Sequence, residues 1–327
     1  MKKKLYMVLD TETATLPFVK EMTEAVKKDI AIAKPLVYDI GWTIVDRQGN
    51  EYERRNFLVQ ETFFVPSVFN TAYYREKRPI YMELLNSGDI TAKNWNDIAA
   101  ILLEDMRKCD FVCAYNAAFD FKKAIPFTEK YIKALYSTDY NDWERRQKWH
   151  CDKIAKGQRK TGANPHYLTP EFEFRGETFP IVDLWAIACD ENYKLININR
   201  YRKFCLSNRL WSASCLYFKT SAETSFQYLM NQHDFVESHT ALDDSTIEAK
   251  ILVKALKKRG VQPVMGEFPF RNLGTTIRFC CENRVPTEIM QSLRDALEEY
   301  ATTIKSARYA AQIDGYCNTL NSLIDEA

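Results

Sequence analysis

Short apolar runs alternate with amphipathic stripes along this chain, and their periods predict its elements. Leu5–Leu9 is an apolar run suited to a buried strand. Val37–Val45 and Tyr52–Val59 read as two more strands, joined by a turn at Asp46-Arg47-Gln48-Gly49-Asn50, so three antiparallel strands are expected to open the fold. Trp95, Ile98, Ala99, Leu102, Leu103 and Met106 recur at helical steps, which predicts a helix over that span. Phe111–Ala114 predicts a strand followed by a helix entered at Asp120. Pro180–Val182 predicts another strand, running into helical spacing over Asp183–Ala188. Ile247, Ile251, Leu252, Ala255 and Leu256 share one face of a helix predicted over Ala241–Arg259. Asp243 and Asp244 stand in its first turn, Lys257, Lys258 and Arg259 in its last, and Gly260 and Pro263 beyond, matching the helix dipole and the usual stop signals. The pattern predicts an α/β domain over residues 1–262, with a mixed central sheet flanked by helices.

Two segments lie outside this plan. An insertion over about 138–178 is basic: between Tyr140 and Lys160, seven Lys and Arg side chains face three acids, with Trp143 and Trp149 interleaved. It reads either as a mobile element that grips a phosphate backbone and stacks bases, or as a solvated helix with both tryptophans anchored in the core. Residues 263–327 form a C-terminal helical extension. There Ile289, Leu293, Leu297, Tyr300 and Ile304 make an amphipathic stripe, expected to pack on the domain or a second copy, or to dock onto a polymerase.

Composition narrows the class. A chain of 327 residues with 46% hydrophobic content can bury a full core, and 45 basic against 44 acidic side chains give no bulk signal for nucleic acid. Nine scattered cysteines without a C-x-x-C pair argue against a disulfide framework and for a reducing, cytoplasmic setting. The adjacent Cys280 and Cys281 are expected to be buried and inert. The lysines after Met1 resemble a signal-peptide start, but Asp10 interrupts the apolar run behind them, and no apolar segment approaches membrane-spanning length.

The chemistry lies at the ends of these elements. Leu5–Leu9 runs into Asp10-Thr11-Glu12-Thr13, Phe111–Ala114 leads to Asn116-Ala117-Ala118-Phe119-Asp120, and His239-Thr240-Ala241-Leu242-Asp243-Asp244 opens the last well-marked helix. Asp10 and Glu12 are two apart, so on a strand they point to one side. Asp120 and Asp244 can converge on that pair. Carboxylate oxygens suit hard divalent cations such as Mg²⁺ or Mn²⁺, and two such ions can activate water and neutralise a leaving oxygen. His239, with a reference pKa near 6.5, can take a proton from the attacking water, worth about 10²–10⁴ in rate.

In this order the residues resemble the DEDDh exonucleases of the DnaQ-like, RNase H-like superfamily. Asp10 and Glu12 match the first motif, Asn116–Asp120 the second, and His239 with Asp244 the third, over roughly residues 4–260. The resemblance implies an RNase H-like fold and metal-dependent 3′→5′ removal of nucleotides from single-stranded ends. It also implies that Asp10 bridges two metals, that Glu12 and Asp244 complete one site and Asp120 supports the other, and that His239 is the base. Leu16 occupies the family's position for an apolar residue packed against the terminal base, with Phe18 as a helper, and simple core packing is the equal alternative for it. Thr11, Asn116 and Phe119 are the other expected substrate contacts. Thr13-Ala14-Thr15-Leu16 lacks the glycine common in this turn, and the connection between Asp120 and Ile181 is long for the family.

Other readings stand beside this one. DNA is placed ahead of RNA as substrate, an RNA-directed member of the same family being the nearest alternative. A catalytically silent nucleic-acid-binding or polymerase-docking module is the alternative from another class. His150, Cys151 and His166, with Cys109 or Cys113, are a minor zinc candidate whose spacings fit no common motif.

Overall fold

The computed structural model describes residues 3–158, 169–189, 195–266, 273–304 and 306–327. Among the described residues, seven strands form one mixed sheet: β1 (Leu5–Ala14), β2 (Leu36–Asp46), β3 (Glu51–Val59), β4 (Thr91–Lys93), β5 (Phe111–Ala114), β6 (Glu171–Phe174) and β7 (Glu177–Asp183). Their order is β4-β3-β2-β1-β5-β7-β6. β1 pairs antiparallel with β2, and β2 with β3, as expected. On the other side of β1 come β5 and then β7, both parallel, with β6 antiparallel at the edge.

All eleven residues of β2 are buried, because helices and loops cover both faces of the sheet there. Trp42, Ile40 and Ile44 on this strand are each worth about 1.5–3 kcal/mol of burial. The Trp42 indole N–H donates to Asp105 Oδ2 at 3.1 Å, in the helix Trp95–Arg107, so its polar atom is satisfied in the core. That helix starts where Asn94 accepts from the Asp97 amide at 2.9 Å, an ordinary side-chain cap.

β1 departs from its expected length. It continues through Asp10–Thr13 to Ala14, because these polar residues still pair with β2, and the register slips between Glu12 and Thr13. Bulges of this kind re-aim side chains beside functional sites. After β5, Asn116 takes a left-handed conformation, and Ala117–Phe119 makes one short helical turn. A wider turn over Asp120–Ala124 then leads into the helix Ile125–Leu135.

The charged segment is a helix over Tyr140–Ala155. Trp143 packs against Phe127, Tyr131 and Tyr140, as the anchored-helix alternative expects of both tryptophans, whereas Trp149 is 53% exposed. Arg159, Lys160 and His166 lie outside the described residues.

The chain divides into two compact units, Met1–Leu184 with Val236–Glu267, and Trp185–Phe235 with Phe268–Ala327. Residues 185–235 thus group with the C-terminal segment rather than with the sheet. In the second unit the expected amphipathic stripe forms the helix Thr287–Ala301, whose buried Met290, Leu293 and Leu297 face a second helix, Ala307–Asp325, with Ile313, Cys317 and Leu320 buried. Cys280 is buried, but Cys281 is exposed, contrary to expectation, because it falls on the solvent side of the short helix Thr276–Glu282. Among the described residues no helix is long and apolar enough to cross a membrane.

Candidate metal centre

The first unit brings the expected acids together. Asp10 and Glu12 come from β1, Asp120 from the start of the wide turn after β5, and Asp244 from the first turn of the helix Ala241–Lys258. Asp120 is held by Thr11, whose hydroxyl donates to Asp120 Oδ1 at 2.6 Å. Thr11 is buried, so its side chain orients a carboxylate. Glu12, His239 and Asp244 can each offer a ligand atom within 4.8 Å of the others. Among the described residues, no other group of His, Cys, Asp and Glu meets that criterion, and His150 and Cys151 form no zinc cluster there.

A glycine lets the helix approach. Gly41 stands opposite Asp10 in the β1–β2 register, and a Cβ added to it would lie 2.3 Å from the Leu242 amide nitrogen. Only a residue without a side chain allows the helix start to rest directly on β2. Asp39, opposite Glu12 on β2, fastens that contact: its Oδ2 accepts from the Ala241 amide at 2.9 Å and from the Tyr81 hydroxyl at 3.0 Å. Below it, Tyr38, Phe63, Phe69 and Tyr81 pack edge to face.

Two further carboxylates join the cluster. Glu248, one turn after Asp244, is buried and accepts from the Tyr115 amide at 3.1 Å. Asp183, at the end of β7, is buried and accepts from the Gly266 amide at 2.8 Å. Asp39, Asp183 and Glu248 were not expected as site residues from sequence. Asp39 interrupts an apolar strand run and Glu248 interrupts an apolar helix face at the step from Asp244. Such interruptions are the signals that could have found them.

The electrostatics follow from crowding. Desolvation first, then the carboxylates of Glu248, Asp120, Asp244 and Glu12, hold Asp10 well above the ordinary carboxylate range. Desolvation, with Asp244 and Asp39, does the same to Glu12, and Lys77 acts in the opposite sense. Burial pushes Asp39 up to about 7, and burial with Glu237, Asp39 and Asp243 pushes Asp244 up to about 8. Asp244 Oδ1 and Asp39 Oδ1 are buried with no hydrogen-bond partner among the described residues. An unsatisfied buried carboxylate oxygen is costly, and two in one cluster suit a bound cation. The all-oxygen donor set, with one imidazole, fits a hard divalent ion.

His239 sits in the left-handed region at φ 51°. Its Nδ1 lies 3.7 Å from Glu237 Oε2 and 3.9 Å from Asp244 Oδ2. Its ring stacks on Tyr74 with centroids 4.5 Å apart and planes 15° from parallel.

The expected substrate contacts separate. Leu16 is 1% exposed and belongs to the hydrophobic core, which fits the core-packing alternative for this position. Phe18 and Phe119 are half-buried, and the Lys148 ammonium lies 5.5 Å from the centre of the Phe18 ring. Asn116 is exposed. Compared with protein-family models, with curated proteins and with solved structures, the chain matches none.

Proposed function

We propose that this chain is a DEDDh-type, metal-dependent 3′→5′ exonuclease on an RNase H-like sheet, releasing nucleotides from single-stranded ends, with DNA ahead of RNA. The observation that carries the reading is the convergence of Glu12, His239 and Asp244 within 4.8 Å, beside an Asp244 oxygen that has no hydrogen-bond partner. Three antiparallel strands with parallel strands added beside β1 accord with that fold.

Asp10, Glu12, Asp120 and Asp244 would hold two Mg²⁺ or Mn²⁺ ions. Bound there, divalent cations supply an activated water and neutralise charge on the leaving oxygen. The chain's own groups do the rest. Glu237 and Asp244 face Nδ1 of His239, which favours a proton on Nδ1 and makes Nε2 the acceptor for the proton of the attacking water. The same two carboxylates stabilise the imidazolium that results. Thr11 fixes Asp120, and Asp39 fixes the helix that carries Asp244.

The test is cleavage of 3′-labelled and 5′-labelled single-stranded DNA and RNA with Mg²⁺, Mn²⁺ or EDTA, beside Asp10→Ala. Metal-dependent shortening from the 3′ end, absent in the variant, is expected. No cleavage with either metal would overturn the reading in favour of a silent binding module, and RNA cut faster than DNA would reassign the sugar.

A further inference from the structure

The imidazole assigned as the base is held from outside its own motif. Tyr74 and Lys77 belong to the segment between the short helices Pro66–Phe69 and Arg78–Ser87. The segment is fastened at both ends. Thr71 accepts from the Thr15 amide at 2.8 Å and donates to the Thr15 carbonyl at 3.0 Å, just past the end of β1. Arg78 donates to the Phe63 carbonyl at 3.3 Å and lies over the Phe63 and Phe69 rings. Between these anchors, the Tyr74 ring lies flat against the His239 imidazole. Tyr73 meets the Tyr74 ring edge to face, with centroids 4.8 Å apart.

Lys77 closes the arrangement. Its ammonium donates to the Ser238 carbonyl, one residue before His239, and sits 4.7 Å from the centre of the Tyr74 ring. His239 needs such support, because its left-handed backbone costs a residue with a side chain on the order of 1 kcal/mol or more.

We infer that Tyr74 is a positioning residue for His239, with Lys77 clamping both the ring and the backbone before the imidazole; this rests on the exonuclease reading of the site. Tyr74 acts on the proton transfer only through the orientation of the imidazole. A base misplaced by about 1 Å can lose on the order of 10² in rate.

The test uses the full chain, a 3′-labelled single-stranded DNA and Mg²⁺. Tyr74→Leu should lower kcat about tenfold or more with KM within about twofold, and Tyr74→Phe, which keeps the ring, should restore it. In a His239→Gln background, Tyr74→Leu should cause no further loss. Lys77→Met is the second variant, read by the His239 ring resonance and not by kcat, because the ammonium also acts on Glu12 and Asp244. A readout independent of activity is the ring proton resonance of His239, assigned by its absence in His239→Gln among the four histidines. Stacking shields it, so Tyr74→Leu should move it downfield and Tyr74→Phe should not.

Full kcat in folded Tyr74→Leu, or additive losses with His239→Gln, would overturn the inference while leaving the exonuclease reading intact. A wild-type chain that cleaves nothing would overturn that reading and the inference with it. An unmoved His239 resonance in Tyr74→Leu would remove the stack itself.

Discussion

Strand β2 carries a buried carboxylate near each end, and the two live in opposite environments. Asp46 accepts from the amides of Gln48, Gly49 and Asn50 at 2.7, 3.0 and 3.1 Å, from the Asn50 side chain at 2.8 Å and from the Tyr52 hydroxyl at 2.9 Å. Lys3 adds an ion pair at 2.6 Å, and these partners hold its carboxyl well below the ordinary range despite burial. Asp39 has two donors, an oxygen without a partner, and Glu12 and Asp244 as charged neighbours. One acid closes a turn and is complete within the chain. The other belongs to a group of crowded carboxylates that Lys77 offsets only in part, and that difference separates a carboxylate completed by its own turn from one in a candidate metal centre.

The largest effect expected from breaking this contrast is at the centre. His239→Gln should reduce kcat about 10²–10⁴-fold while leaving Mn²⁺ affinity within a few-fold, measured by single-turnover kinetics and calorimetry. Loss of metal binding instead would make the imidazole a ligand rather than a base. Next is Gly41→Ala, in which the added methyl meets Leu242 backbone at 2.3 Å, with no flexible side chain to give way. Overpacking of this kind should cost about 3 kcal/mol and reduce Mn²⁺ binding in parallel, since the same helix carries Asp244. An unchanged melting temperature would show that the helix can shift freely.

Asp46→Ala should cost about 2 kcal/mol by stranding turn amides, without altering metal affinity. The pH dependence has a definite sign. A carboxyl held below its unfolded value stabilises the fold above pH ~4 and loses that contribution as pH falls through the folded value, so wild type and Asp46→Ala should converge in stability in strong acid. Smallest is Asp244→Asn, which relieves charge crowding and should raise stability in EDTA by about 1 kcal/mol while removing the gain that Mn²⁺ gives the wild type. Equal melting temperatures with and without Mn²⁺ in the wild type would argue against a metal centre.

Much of the centre was legible because its members stand in order at element boundaries: Asp10 and Glu12 after an apolar run, Asp120 after another, His239 and Asp244 where a helical period begins. The spans of β2, β3 and the Trp95 and Ala241 helices follow from period alone to within about two residues. What stayed hidden depends on contacts between distant segments. Gly41 matters only because a helix lands on it, and Glu248 and Asp39 look like polar interruptions until the strands and helix are docked. Leu16 has a place in a motif and an apolar side chain that equally suits the core, and its burial is decided by tertiary packing. Tyr74 carries no local sign of the histidine it stacks against.

The bond from Ala241 to Asp39 spans 202 residues. At about 5–20 residues per second, a ribosome needs roughly 10–40 s to travel that distance. Throughout that interval β1 and β2 exist with their acids, while the helix that completes the cluster has not been made. The nascent chain therefore carries no assembled cluster over that interval, and Glu12 can meet His239 and Asp244 only once the helix Ala241–Lys258 has been made.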